Sequence, residues 1–367
     1  VQTDILSARY GRQVVLPEIG PAGQDRLAHA RVLVVGAGGL GCPALQYLAG
    51  AGIGMIGIID HDRVDISNLQ RQILYRESDA GNPKVQAAKE AISALNPDIQ
   101  ITAYDEELTD RNAISLFSAY DIVIDGTDNF AAKFLINDAA VKLGKTVIYG
   151  AIQGFDGQVS VFDPRHGPCY RCLFPAAPAA KIQNCAEAGV IGALAGIVGT
   201  MQAMEAIKLI AGHESFSPLI GRLWMIDTKT METRTIKIPK CPDCPVCSRS
   251  PSQIRLEYSS PVCAASTAIT EICCDDPLWA QNIMIIDVRE REEWDCGHID
   301  GAIHLPLSAL MTDPSVFPAQ LESSPCVLYC QAGYRSKKAV EILQQEGFTN
   351  LYSLKGGYDA WCVQNFR

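Results

Sequence analysis

The sequence predicts an α/β chain with two units in series. The first is a doubly wound parallel sheet with an antiparallel extension that carries cysteines. The second is a smaller α/β domain. Three observations carry this. Strand and helix patterns alternate from Arg31 to about residue 152, as a parallel sheet requires. Past residue 153 the alternation gives way to strand patterns flanked by two C-x-x-C pairs. A second strand–helix alternation opens at NIMIIDVRE and continues to the end of the sequence. The expected boundaries are residues 1–248, a linker over 249–264 and a second domain over 265–367.

The stretch from Arg31 to Gln72 organises the first unit. RVLVVG reads as a buried strand. It feeds into GAGGLG, with Gly36, Gly38 and Gly41 in the G-x-G-x-x-G places. CPALQYLAGAG follows as a helix, and MIGIID as a second strand with Asp60 at its tip. Glycines let a ligand approach the backbone, a helix N-terminus offers free N–H groups, and an acid accepts from ribose hydroxyls. That is the physics of a nucleotide site on a Rossmann-like sheet.

The other elements follow in order. RYGRQVVLPEIGPAGQDRLAHA reads as a helical arm before the first strand, with Arg12 and Gln13 open to a plain surface reading. HDRVDISNLQRQILY has neither a helix nor a strand period, and dense polar loops beside a glycine turn are often functional. NPKVQAAKEAISALNP is a helix, with Pro83 expected in its first turn. QITAY is a strand, TDRNAISLFSAY a short helix and DIVIDGTDN a strand ending near Asp125, Asp128 and Asn129. FAAKFLINDAAVKLG is a helix closed by Gly144, with Asp128 open to a helix N-cap reading. KTVIYGAI is a strand and GQVSVFDP an antiparallel one. FPAAPAAKIQNCAEAG lacks periodicity and reads as a mobile crossover loop. VIGALAGIVGTMQAMEAIKLIAG is a long helix, and RLWMIDTKT and METRTIKIP are two further strands.

The hydrophobic fraction of 48% suffices for two cores. The net charge of −10 makes nucleic acid an unexpected partner. No apolar run is expected to reach the ~18 residues of a membrane span, and the first residues lack a signal-peptide pattern. A cytoplasmic chain without a membrane partner is therefore expected. Fourteen cysteines then point to metal or thiol chemistry before disulfides. Cys169-x-x-Cys172 and Cys244-x-x-Cys247 have zinc-knuckle spacing, and four thiolates suit a closed, structural tetrahedral Zn²⁺ site. Cys241 also forms a C-x-x-C with Cys244, so the second pair is open on spacing alone.

GAGGLG, the Asp60 tip, SNLQRQ, the lysine of NPK, DGTDN, CYRC and the closing cysteine pair occur in that order. This set resembles the MoeB/ThiF group, relatives of the ubiquitin-activating enzymes, over roughly residues 7–248. The resemblance implies ATP-dependent adenylation of the C-terminal carboxylate of a ubiquitin-like sulfur carrier ending in Gly-Gly. A carboxylate is a poor nucleophile towards a triphosphate, so positive charge must gather where charge develops. Arg71 and Lys84 are the local cations. The family adds Arg12, reaching across a homodimer interface. Asp128 would hold Mg²⁺, a hard cation that prefers oxygen. Asp60 would hold the ribose, Asn68 the phosphates, and Gly39 would admit ATP closely. Ser67, Leu69 and Gln70 of SNLQR, and Asn129 of DGTDN, complete the implied nucleotide set. The family pattern favours Cys247 over Cys241 as the fourth zinc ligand. It also assigns Cys185, in the aperiodic loop, to covalent bonding with the carrier or to sulfur transfer.

DVREREEW, GHIDGAIHLPL, YCQAGYRS and LKGGYDAW resemble a single-domain rhodanese, a sulfurtransferase. Cys330 follows a strand and opens a loop that closes at a helix start. Loop N–H groups and Arg335 can stabilise an anionic sulfur. Four residues separate Cys330 from Arg335, against five in the cysteine phosphatases, which disfavours their larger oxyanion. Asp287 and Arg289 are expected to hold the loop, and His298 to be structural. Joined, the halves imply an adenylyltransferase that receives sulfur from a Cys330 persulfide, loaded by an upstream donor, to make a carrier thiocarboxylate. Related activators serve molybdopterin, thiamin, tRNA-thiolation and siderophore-type sulfur pathways. Two other readings stay open: an NAD-dependent oxidoreductase, which the glycine turn and Asp60 alone would permit, and a non-catalytic adaptor that binds a carrier.

Overall fold

The computed structural model describes residues 9–176, 189–256, 269–280, 283–317 and 325–365. The chain divides into two compact units, and each is taken by itself.

The first unit is built on an eight-stranded sheet in the order β3-β2-β1-β4-β5-β6-β7-β8. β1 (Arg31–Val35), β2 (Met55–Ile59), β3 (Gln100–Tyr104), β4 (Ile122–Asp125) and β5 (Thr146–Gln153) pair in parallel. β6 (Asp156–Phe162), β7 (Arg222–Asp227) and β8 (Glu232–Lys237) extend the sheet antiparallel. Side chains alternate across a strand, so β1 feeds two cores. Val32 and Val34 join the apolar cluster that takes in the helices Gly41–Ala51, Lys84–Leu95 and Gly192–Ala211. Leu33 and Val35 join the opposite cluster, with the helices Ala113–Ser118 and Phe130–Leu143. Sheet order reverses between β1 and β4, and ligands bind such sheets at that reversal, beyond the strands' carboxyl ends.

Three details correct the sequence reading. Pro83 stands just before its helix, as the capping residue, rather than in the first turn. The helix Gly192–Ala211, at 20 residues, is long and apolar enough to cross a membrane by length and composition, contrary to the expectation that no run reaches that length. Its Leu194, Ala195, Val198 and Ala206 lie in the core of the sheet. Its buried Gln202 donates to the carbonyls of Asp125 (2.7 Å) and Ile148 (3.1 Å). Residues 249–256, expected as linker, pack on the first unit. Ile254 is buried beside the cysteine cluster, and Lys142 Nζ donates to the carbonyls of Pro251 and Ile254.

The second unit holds a five-stranded parallel sheet in the order β11-β10-β12-β13-β9. Its strands are β9 (Thr270–Ile272), β10 (Met284–Asp287), β11 (Ile303–His304), β12 (Cys326–Tyr329) and β13 (Leu351–Leu354). The central strand β12 is buried throughout. After a four-residue loop the chain enters the helix Tyr334–Gln345, whose Ala339, Val340 and Leu343 pack on Leu328 and Ile286.

The glycine turn after β1 is sterically closed. A Cβ on Gly41 would collide with the carbonyl oxygen of Gly36, and one on Gly36 would lie 2.8 Å from the carbonyl oxygen of Gly126. Gly36 also has a φ of 91°, a left-handed value that suits glycine. The Gly41→Ala variant is therefore expected to lose about 3 kcal/mol, a fall of roughly 6–12 °C in Tm for a unit of this size, read by thermal unfolding.

Candidate functional site

The ends of β1, β2 and β4 surround a cavity of about 530 Å³. Gly38, Gly39 and Leu40 form one wall, and Gly126, Thr127 and Asp128 another. The helix Gly41–Ala51 begins at Leu40 without a side-chain cap, so no side chain competes for its first N–H groups. Asp60 Oδ2 accepts from the backbone N–H of Ala37 (2.8 Å) and its Oδ1 from that of Asp62 (2.8 Å). The carboxylate thereby ties the glycine turn to the end of β2 and still faces the cavity.

Asn68, Arg71 and Lys84 line the same cavity. Lys84 is 5% exposed, and its Nζ pairs with Asp62 at 2.7 Å. Arg71 donates to the Ser67 carbonyl (3.1 Å), one helical turn back. Thus seven expected residues, Gly39, Asp60, Asn68, Arg71, Lys84, Asp128 and Asn129, converge on one space. Ser67, Leu69 and Gln70 do not line it. Ser67 is held in a turn by Asp65, Leu69 packs against the apolar cluster below the sheet, and Gln70 is exposed. Arg12 is exposed on a helical turn over residues 9–14 and makes no ion pair among the described residues. Cys185 lies outside the described residues.

Asn129, not Asp128, caps the helix Phe130–Leu143: its Oδ1 accepts from the Ala132 N–H at 2.8 Å. This corrects the N-cap reading of Asp128, and it gives Asn129 a structural job at the cavity rim. Asp128 is exposed at the cavity and has no hydrogen bond among the described residues. Its carboxylate is free for a cation.

Sequence reasoning missed the group beneath this loop. Lys133, 7% exposed, lies between Asp125 Oδ2 (3.0 Å), the Gly150 carbonyl (2.9 Å) and the Tyr149 ring, whose centroid is 5.0 Å away. Asp125 is 2% exposed, and its Oδ1 accepts from the N–H and hydroxyl of Thr127. The pair fixes the loop that presents Asp128. The available signal was a lysine set among the apolar residues FAAKFLI, one turn after the cap.

Cys169, Cys172, Cys244 and Cys247 place their sulfur atoms within 4.8 Å of one another. The Cys169–Cys172, Cys169–Cys244 and Cys172–Cys247 separations are 3.9, 3.5 and 3.5 Å. A tetrahedron with ~2.3 Å metal–sulfur bonds has edges of ~3.8 Å, so the cluster fits one ion. Cys241 is not in it; its backbone N–H donates to Cys172 Sγ at 3.4 Å. Burial, then the charge of the neighbouring thiols, pushes the Cys169 thiol up, and a bound cation reverses that. The knuckle is anchored by Asn137 Oδ1, which accepts from the Tyr170 N–H (2.7 Å), and by Arg171, paired with Asp138 (2.7 Å).

In the second unit Cys330 is buried at the end of β12, and its sulfur accepts from the Gly333 N–H at 3.2 Å. Gly333, with φ of 92°, opens the following helix without a side-chain cap. Arg335 stands beside Cys330, and both its terminal nitrogens donate to the Glu293 carboxylate at 2.6 Å. Arg289, 1% exposed, pairs with buried Asp287 and donates to Gln331 Oε1 (2.9 Å) and the Gly297 carbonyl (2.7 Å). It clamps the loop, as the sequence suggested. His298 stacks on Trp294 with centroids 3.7 Å apart.

The buried Asp125–Lys133 pair has a measurable signature. Removing one partner leaves a buried charge alone and costs about 3 kcal/mol or more. Lys133→Met is expected to show that loss in denaturant unfolding, and Asp125→Asn combined with Lys133→Met a smaller one.

Comparison with known proteins places each unit in a family. Residues 10–246 match the ThiF family and residues 273–364 the rhodanese-like domain. The chain is 41% identical to the Mycobacterium tuberculosis protein called "Probable adenylyltransferase/sulfurtransferase MoeZ", over 97% of this chain and 93% of that protein. It is 38% identical to the Anopheles gambiae "Adenylyltransferase and sulfurtransferase MOCS3", over 96% and 86%. It is 48% identical to a Thermus thermophilus "Sulfur carrier protein adenylyltransferase", over 68% of this chain and 93% of the relative. Among solved structures, E. coli MccB with MccA-N7isoASN shares the fold, with a TM-score of 0.59 and 22% identity over 66% of this chain and 75% of that one. The chain belongs to the ThiF family and joins to it a rhodanese-like domain, the composition of the adenylyltransferase/sulfurtransferase enzymes.

Proposed function

We propose that this chain adenylates the C-terminal Gly-Gly carboxylate of a ubiquitin-like sulfur carrier and then converts it to a thiocarboxylate with sulfur carried on Cys330. The observation that carries the reading is the convergence of Asp60, Asn68, Arg71, Lys84 and Asp128 on one cavity at the sheet reversal. In the first step the carrier carboxylate attacks the α-phosphorus of ATP, and the bond to the β-phosphate breaks to release pyrophosphate. Arg71 and Lys84 stabilise the charge that moves onto pyrophosphate. Asp60 accepts from the ribose, and the uncapped turn of Gly38–Leu40 receives phosphate oxygens. Asp128 would hold Mg²⁺, which would neutralise phosphate charge when bound. Arg12 would complete the site from the partner in a homodimer.

In the second step an upstream persulfide donor loads Cys330. The terminal sulfur anion attacks the acyl carbon and displaces AMP, leaving an acyl disulfide. A thiolate, for which Cys185 is our candidate, attacks Cys330 Sγ and frees the thiocarboxylate; the disulfide so formed is then reduced by an external dithiol. Attachment in one chain raises the local concentration of the sulfur donor, to about millimolar for a short linker. The four-cysteine cluster would hold Zn²⁺ with no open position, which makes it structural. We place the chain in the cytoplasm, where thiols stay reduced.

Cys330→Ala is expected to keep ATP–pyrophosphate exchange with a Gly-Gly-ended carrier and to lose the mass gain of oxygen replaced by sulfur. Normal thiocarboxylate from that variant, with no other rhodanese present, would refute the sulfur route. For the metal, Cys244→Ser is expected to lower both zinc content and Tm, since metal binding and folding are coupled. Cys241→Ser should leave zinc content unchanged by elemental analysis.

A further inference from the structure

Arg335, the cation beside Cys330, has a carboxylate partner to which the proposed steps give no part. Glu293 sits in the helix Arg291–Asp295. Its two oxygens take both terminal nitrogens of Arg335 at 2.6 Å, and one also accepts from the Glu290 N–H at 3.2 Å. Glu293 also lines a cavity of about 300 Å³ with Arg289, Glu292, Cys296, Gln331 and Tyr358, against the loop that carries Cys330. Arg335 is therefore held by a fixed carboxylate and stands beside the Cys330 sulfur.

We propose that Glu293 is a positioning residue that holds Arg335 against Cys330 and limits how strongly that cation stabilises sulfur anions there. This rests on Cys330 as the persulfide carrier. The chemistry demands such a limit. The sulfur must be anionic to attack the acyl carbon, yet nucleophilicity falls as the anion is stabilised, with a Brønsted slope of ~0.4–0.5. A bare guanidinium would favour loading and retard delivery. A paired one keeps its orientation with part of its field cancelled. Other groups around the loop have contacts of their own. Arg289 is paired with Asp287, and Asp359 accepts from Gln331. On β13 the facing group is the neutral Ser353 hydroxyl, bonded to Ser336. Glu292 lines the cavity, but the carboxylate that pairs with Arg335 is that of Glu293.

The test uses the full chain. Glu293→Gln keeps the side chain's size and one acceptor but drops its charge. The Cys330 titration midpoint is read as ultraviolet thiolate absorbance, by difference from the same protein carrying Cys330→Ala. Glu293→Gln should lower the midpoint by about half a unit, a roughly threefold gain in thiolate below it. It should also slow sulfur transfer from the loaded protein to cyanide at pH values above both midpoints. Glu293→Asp, which keeps the charge, should stay near the parent value, and so should Glu292→Gln. An unchanged or raised midpoint in Glu293→Gln would overturn the proposal, as would an equal fall in Glu292→Gln or Glu293→Asp. Should Glu293→Gln fail to fold, a Glu293→Asp midpoint displaced from the parent by that amount overturns it alone. The absorbance readout does not require that Cys330 carry sulfur, so this failure is distinct from failure of the sulfur route.

Discussion

The first unit depends on one backbone-on-backbone contact. The glycine turn after β1 and the turn after β4 touch through Gly36, Gly41 and Gly126, with no room for a Cβ. Gly126 N–H donates to the Val35 carbonyl (2.8 Å) and Gly36 N–H to that of Ile59 (2.9 Å). Three strand ends are thereby locked at the point where strand order reverses. Asp60 reaches the cavity from the end of β2 and Asp128 from the turn after β4, and Arg71 and Lys84 line the same space. A single methyl group in this contact changes the distances among all of them.

The same economy governs the charges. Each buried ionic group near a site has a partner and an anchoring task. Asp125 and Lys133 hold the Asp128 loop, Asp138 and Arg171 hold the cysteine knuckle, and Asp287 and Arg289 hold the Cys330 loop. Buried charge is tolerated where it is paired and hydrogen-bonded. Asp128 and the Cys330 sulfur stand on loops held by two of those pairs.

The sheet was legible because apolar runs of four to eight residues bounded by turn residues are strong strand signals, and β1, β2, β4 and β5 are such runs. The cavity-lining set was legible because its motifs occur in the order of the family that the chain resembles. What escaped depended on contacts distant in sequence. Lys133 reads as one surface cation until Tyr149, Gly150 and Asp125 close over it. Cys241 and Cys247 are equivalent on spacing; the family pattern favours Cys247, and the fold brings that sulfur into the cluster and turns the Cys241 N–H toward it. Asp128 and Asn129 are both competent caps, and the backbone at β4's end decides between them. The segment 249–256 has a linker's composition, yet Ile254 finds an apolar site beside Cys244.

In the proposed reaction one chain energises a carrier's tail and supplies its sulfur from Cys330. A single-turnover chase tests it most directly. The protein is loaded with isotopically labelled persulfide, mixed with carrier and ATP, and quenched in time for peptide mass spectrometry. The account predicts that label leaves the Cys330 peptide as it arrives at the carrier C-terminus, at one rate, and only when ATP is present. Labelled carrier formed while the Cys330 peptide keeps its label, or transfer without ATP, would contradict it.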